Sequence, residues 1–119
     1  MKKLSTDRCI PCSKGATPLT GKQIEALLDD IPGWEKVEIG GVPCLNRTFN
    51  FPDFRQALAF TNRIGALAEQ ENHHPLLMTE WGKVTVRWWT HKIADLHRND
   101  FIMAAKTSAL FATPPSEAS

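Results

Sequence analysis

Three imidazoles and a carboxylate fall at a spacing suited to proton transfer. His73 and His74 are adjacent, Pro75 follows them, His91 closes a strongly β-type run, and Glu69 lies four residues before His73. Histidine gives or takes a proton near neutral pH because its unperturbed pKa is about 6.5. Brought together, such groups could protonate a leaving group while a neighbour removes a proton. Glu69, one helical turn before His73, is expected to orient an imidazole and favour its charged form. Two or three imidazoles plus this carboxylate are also common ligands for zinc or iron. Adjacent histidines, however, do not readily aim at one ion.

The elements that must position these groups are legible from period and punctuation. Pro75 cannot continue a helix and pushes its predecessor toward extended geometry, so His73 and His74 are expected at a helix-to-strand junction. From Lys83 to His91 the residues alternate, with Val84, Val86 and Trp88 on one face and Thr85, Arg87, Trp89 and His91 on the other. Trp81-Gly82 separates this strand from Leu76 to Glu80 and predicts a hairpin that returns His91 toward His73.

Upstream, Thr20 with Gln23 gives a capping-box signature for a first helix carrying Ile24, Leu27, Leu28 and Ile31, ended by Pro32-Gly33. Val37 and Ile39, then Leu45, Phe49 and Phe51, flank Gly40-Gly41 and predict a first hairpin, with Arg47 interrupting the pattern. Asp53 is a candidate cap for the longest helix, which runs to about Asn72. A final helix carries Phe101, Ala104, Ala105, Ser108 and Ala109, a small-residue face able to meet another helix. The order α-β-β-α-β-β-α predicts an α+β fold, with helices on one face of a four-stranded antiparallel sheet.

At 119 residues the chain fits one domain, expected over 19–112, between a flexible arm at 1–18 and a disordered tail at 113–119. Fourteen Lys and Arg against 13 Asp and Glu leave no strong field for nucleic acid or an anionic membrane. No apolar run approaches the ~20 residues of a membrane span, and no secretory leader is evident, so a soluble cytoplasmic protein is expected. Cys9 and Cys12 form a C-x-x-C pair, but Cys44 stands alone and no second pair completes a zinc site. Two reduced cysteines in a mobile arm are expected.

The series Glu69, His73-His74-Pro75, Trp81, His91 and Asp100 resembles the signature of the pterin-4a-carbinolamine dehydratases. Pro32-Gly33-Trp34, the Phe-rich second strand and the segment LHRNDFIMAAK extend the resemblance to bacterial members over roughly 19–112. The resemblance implies three helices on one side of the sheet, a homodimer or homotetramer, and removal of water from 4a-hydroxytetrahydropterin without metal or organic cofactor. It implies a link to aromatic amino-acid hydroxylases, whose spent cofactor this reaction recycles. It also carries over catalytic roles to His73, His74 and His91, with His73 the principal acid. Glu69, Asn72, Pro75, Trp81 and Asp100 are carried over as groups that bind or orient substrate, Asp100 either at the pocket edge or as a first-turn carboxylate that complements the dipole of the final helix.

Two departures from the family pattern have structural consequences. Asp95 stands where glycine is usual, which predicts an altered turn, and His97 takes a cap position usual for Ser or Thr, which predicts a weakened cap. Asn72 and Asn99 replace an aspartate and a basic residue and are expected to act on pterin affinity. A non-enzymatic role, as a partner of a transcription factor or a hydroxylase, is the other reading the resemblance admits. Phe101, Ala105 and Ala109 are the residues expected to make such a contact.

Overall fold

Two hairpins of alternating apolar residues supply the sheet, and capped helices cover it. The computed structural model describes residues 4–6, 9 and 19–113. A 3-10 turn at Leu4–Thr6 precedes α1 (Gly21–Leu28), β1 (Glu35–Ile39), β2 (Val42–Asn50), α2 (Phe54–Glu71), β3 (Leu76–Glu80), β4 (Lys83–Trp88) and α3 (Arg98–Ala112). The fold is α+β, with the expected element order and a single antiparallel sheet.

Both expected caps at the first two helices form. The Thr20 hydroxyl accepts from the Gln23 amide while the Gln23 side chain accepts from the Thr20 amide. Asp53 Oδ1 accepts from the Gln56 amide at 2.8 Å. These bonds satisfy amides that a helix start otherwise leaves without partners. The first helix ends earlier than expected, at Leu28, and Ile31 enters the core from the following turn.

The strands lie in the order β1-β2-β4-β3, so the two hairpins join through their later strands. Leu45 faces Trp88 and Phe49 faces Val84 across that central seam. Val84, Val86 and Trp88 are buried as their alternation predicts, under Ile64 of α2 and Phe101, Met103 and Ala104 of α3. Trp34 also joins this core and donates from Nε1 to Ser108 Oγ at 2.8 Å.

The face of α3 proposed for contact with another molecule is partly spent inside this one. Phe101 is fully buried and Ala105 half-buried. The reason is the sheet: α3 packs on its core face, where the Trp88 indole donates to Thr107 Oγ1 at 3.2 Å. Arg47, which breaks the apolar pattern of β2, lays its guanidinium 4.4 Å over the Phe49 ring and donates to Ser108 Oγ at 3.0 Å. Burial lowers the pKa of this group, and the aromatic face offsets part of the cost.

The arm expected at 1–18 falls mostly outside the described residues, as does Cys12. Its described pieces pack on the body: Leu4 joins the core, and the Cys9 amide donates to Glu71 Oε1 at 3.0 Å. Among the described residues, no helix is long and apolar enough to cross a membrane.

Candidate active site

The site begins where α2 stops. Asn72 takes the left-handed conformation, φ 54° and ψ 43°, and the amides of Asn72 and His73 both donate to the carbonyl of Ala68. Asparagine tolerates this geometry better than most residues, and the paired bonds close the helix end. The chain therefore reverses before the first histidine. His73 no longer follows the helical face of Glu69, and one-turn spacing ceases to predict their contact.

His73 turns inward. Its imidazole stacks on Trp88 with ring centres 5.8 Å apart and planes within 12°, and its Nε2 lies 2.6 Å from Asp100 Oδ1. Only 9% of His73 is exposed, and none of Asp100. Thr90 Oγ1 donates to Asp100 Oδ2 at 2.8 Å, and the His97 amide donates to the same oxygen at 2.9 Å. Asp100 sits in the first turn of α3, where the helix dipole also favours its negative charge. Asp100 is fully buried and meets the imidazole on the side of α3.

His74 points the other way. Its Nε2 lies 2.6 Å from Glu69 Oε2, and both side chains are largely exposed. The imidazole that Glu69 meets is thus His74 rather than His73, because the left-handed Asn72 swings the pair of histidines past it. His91 is exposed and stacks on Trp89, ring centres 4.4 Å apart. The pairing of Leu76 with Arg87 sets the residues before β3 beside those after β4. All three imidazoles therefore gather at one end of the hairpin, His73 inside with Trp88 and the other two at the surface with separate partners.

On the opposite face of the sheet from the core, Trp89, Arg87, Leu76, Cys44, Val42 and Ile39 line a hollow of about 100 Å³. Trp89 belongs to both features, since its ring also carries His91. Pro75 is half-buried and leads into β3. Trp81 lies elsewhere: it occupies the turn at the far end of β3, 72% exposed. Five residues of strand, roughly 17 Å at ~3.3 Å per residue, separate it from the histidines, so one chain does not bring Trp81 to them.

β4 leaves the ladder at Trp88, three residues before His91, because Thr90 pairs with Asp95 in an isolated bridge. That bridge holds a turn whose positive φ, 49°, falls on Ala94 rather than on Asp95. Asp95 instead accepts the Leu96 amide on its own Oδ1 at 2.7 Å. The expected weak cap is also corrected, for His97 Nδ1 accepts the Asn99 amide at 3.0 Å and completes a capping box with Asp100. Thr90 was absent from the residues singled out by sequence. The signal was there, since it continues the buried series Val84, Val86, Trp88 as a polar member.

Among the described residues, no three His, Cys, Asp or Glu side chains come together in a way that could hold a metal ion. Cys9 and Cys44 are free thiols. Burial pushes the Cys9 thiol up to about 12, and Glu71 beside it adds to the rise.

Residues 17–110 match the model of the pterin 4 alpha carbinolamine dehydratase family. The chain belongs to that family. A relative from Chlorobium limicola, provisionally named as such a dehydratase, is 56% identical over 92% of this chain and 97% of its own length. One from Syntrophotalea carbinolica, named likewise, is 54% identical over 92% and 98%. Among solved structures, a transcriptional coactivator/pterin dehydratase from Brucella melitensis superposes with a TM-score of 0.71 at 29% identity, covering 79% of this chain and 98% of that one. A pterin dehydratase-like RuBisCO assembly factor of the alpha-carboxysome shares the fold, at a TM-score of 0.57 and 24% identity. The segment matched to the dehydratase family contains every residue of the buried cluster and of the exposed pairs around it.

Proposed function

We propose that this protein dehydrates 4a-hydroxytetrahydropterin to the quinonoid dihydropterin, using its histidines as general acid and base. The observation that carries the reading is a buried His73–Asp100 pair beside the exposed His74–Glu69 pair, inside the segment that matches the family. The reaction breaks the C4a–O bond as an acid protonates the departing hydroxyl, and a base takes the proton from N5 as the C4a–N5 double bond forms. Two differently housed imidazoles suit two opposite proton transfers. His73 is rigid and nearly dry, whereas His74 and His91 meet solvent and can exchange protons with it.

The proposal includes tetrahydrobiopterin as the parent cofactor, independence from metal, and service to an aromatic amino-acid hydroxylase. It also includes a homodimer or homotetramer, supported by large apolar side chains left exposed at Phe54, Leu58, Met78 and Trp81. Stopped-flow measurement with enzymatically generated carbinolamine tests the central step. The wild type accelerates dehydration, and His73→Ala loses about 10²–10⁴ of that rate, the usual contribution of a general acid or base. An unchanged rate in a folded His73→Ala protein overturns the proposal.

A further inference from the structure

We infer that Asp100 and Thr90 are positioning residues that fix His73 with its proton on Nε2, leaving Nδ1 as the nitrogen that meets substrate. The inference rests on the dehydratase reading for its kinetic part and on the hydrogen bonds alone for its tautomer part.

An ionised carboxylate only accepts hydrogen bonds. Asp100 receives three: from Thr90 Oγ1 and the His97 amide on Oδ2, and from His73 Nε2 on Oδ1. The third is possible only if Nε2 bears hydrogen, whether the ring is neutral or charged. The proton that comes and goes is then the one on Nδ1, for which the described residues offer no partner. Ring rotation, which would put Cε1 where Nε2 meets Asp100, is opposed by the parallel Trp88 indole.

The clamp draws on three elements. His73 comes from the end of α2, Asp100 and His97 from the start of α3, and Thr90 from beyond β4. Thr90 is itself pinned, its amide donating to Asp95 O at 2.9 Å and its carbonyl accepting from the Asp95 amide at 3.4 Å. It is 2% exposed, so no water readily replaces its hydroxyl. Without that hydroxyl, Oδ2 keeps a single donor in a dry pocket, and the carboxylate can turn away from His73.

The test uses the full chain labelled with ¹⁵N-histidine, together with Thr90→Val and Thr90→Ser. A long-range ¹H–¹⁵N spectrum, followed from neutral to alkaline pH and assigned by loss of signal in His73→Gln, is expected to show His73 protonated on Nε2. Thr90→Val is expected to lower kcat roughly tenfold or more, the scale on which outer partners of a working imidazole act, with KM little changed and the pH–rate profile displaced. Thr90→Ser restores the rate. A neutral His73 carrying its proton on Nδ1 overturns the inference, as does a folded Thr90→Val protein with wild-type kcat. If Thr90→Val does not fold, the wild-type spectrum decides. If the wild type dehydrates no pterin, the function proposed above fails while the spectrum still answers for the tautomer.

Discussion

The His73 imidazole and the Trp88 indole lie face to face, within 12° of parallel, and the indole N–H reaches across the core to Thr107 Oγ1 at 3.2 Å. One side chain of β4 thus supports both the site and the packing of α3. Trp88→Phe keeps an aromatic floor under His73 but removes the N–H and part of the ring. It is expected to lower stability by about 1–2 kcal/mol while leaving the dehydration rate within a few-fold of wild type. Urea unfolding paired with the rate measurement checks both halves, and a large loss of rate at full stability would contradict the assignment.

The two carboxylate–imidazole pairs differ in burial, so their removal should differ in kind. Asp100→Ala leaves a buried imidazole and two donors without their acceptor, and is expected to cost about 3–5 kcal/mol. Glu69→Gln alters a pair in solvent, where attraction is screened and weak, and its urea midpoint should match that of the wild type. Equal destabilisation by both would refute the burial argument.

Cys9 gives stability a definite slope at alkaline pH. Its thiol ionises near 9.0 in the unfolded chain and at about 12 in the folded one, so between those values the folded state holds the extra proton. Its contribution is complete below pH 9 and is lost as pH climbs toward 12. Denaturation midpoints should fall over that window, and Cys9→Ala should flatten this part of the fall. The same burial predicts slow reaction with thiol reagents at neutral pH, since the thiolate is the nucleophile.

Backbone strain at the turn before α3 should be removable. Ala94 sits at φ 49°, where a Cβ is disfavoured. Ala94→Gly is expected to raise stability by about 0.5–1 kcal/mol. Gly82 gives the converse: at φ 76°, with Phe51 O only 3.2 Å from where a Cβ would stand, Gly82→Ala is strained twice over. Thermal melts of the two variants should move in opposite directions.

The helices and hairpins were legible because their signals are local. Thr20 and Gln23 cap within one turn, Val84, Val86 and Trp88 alternate without interruption, and glycines mark both hairpin turns. The partners of the histidines were not, because they depend on geometry that spacing does not encode. The spacing put Glu69 near an imidazole without saying which, and a left-handed Asn72 decides for His74. Asp100 reached His73 only once α3 had folded over the sheet, and its burial has no signature in the chain. His97 broke the usual preference for a hydroxyl cap because an imidazole nitrogen can accept the same amide. The strand order also lay beyond local signals, since β2 could pair with either strand of the second hairpin.

That strand order has a consequence for the newborn chain. β2 carries Leu45 and Phe49 and can shelter one edge against β1 as soon as both leave the ribosome. Its other edge waits for β4, roughly 40 residues later, about 2–8 seconds at ~5–20 residues per second. During synthesis the future centre of the sheet is therefore an unfinished border with apolar groups uncovered. Slowing translation within α2 would prolong that interval and, with it, the opportunity for two nascent chains to stick together.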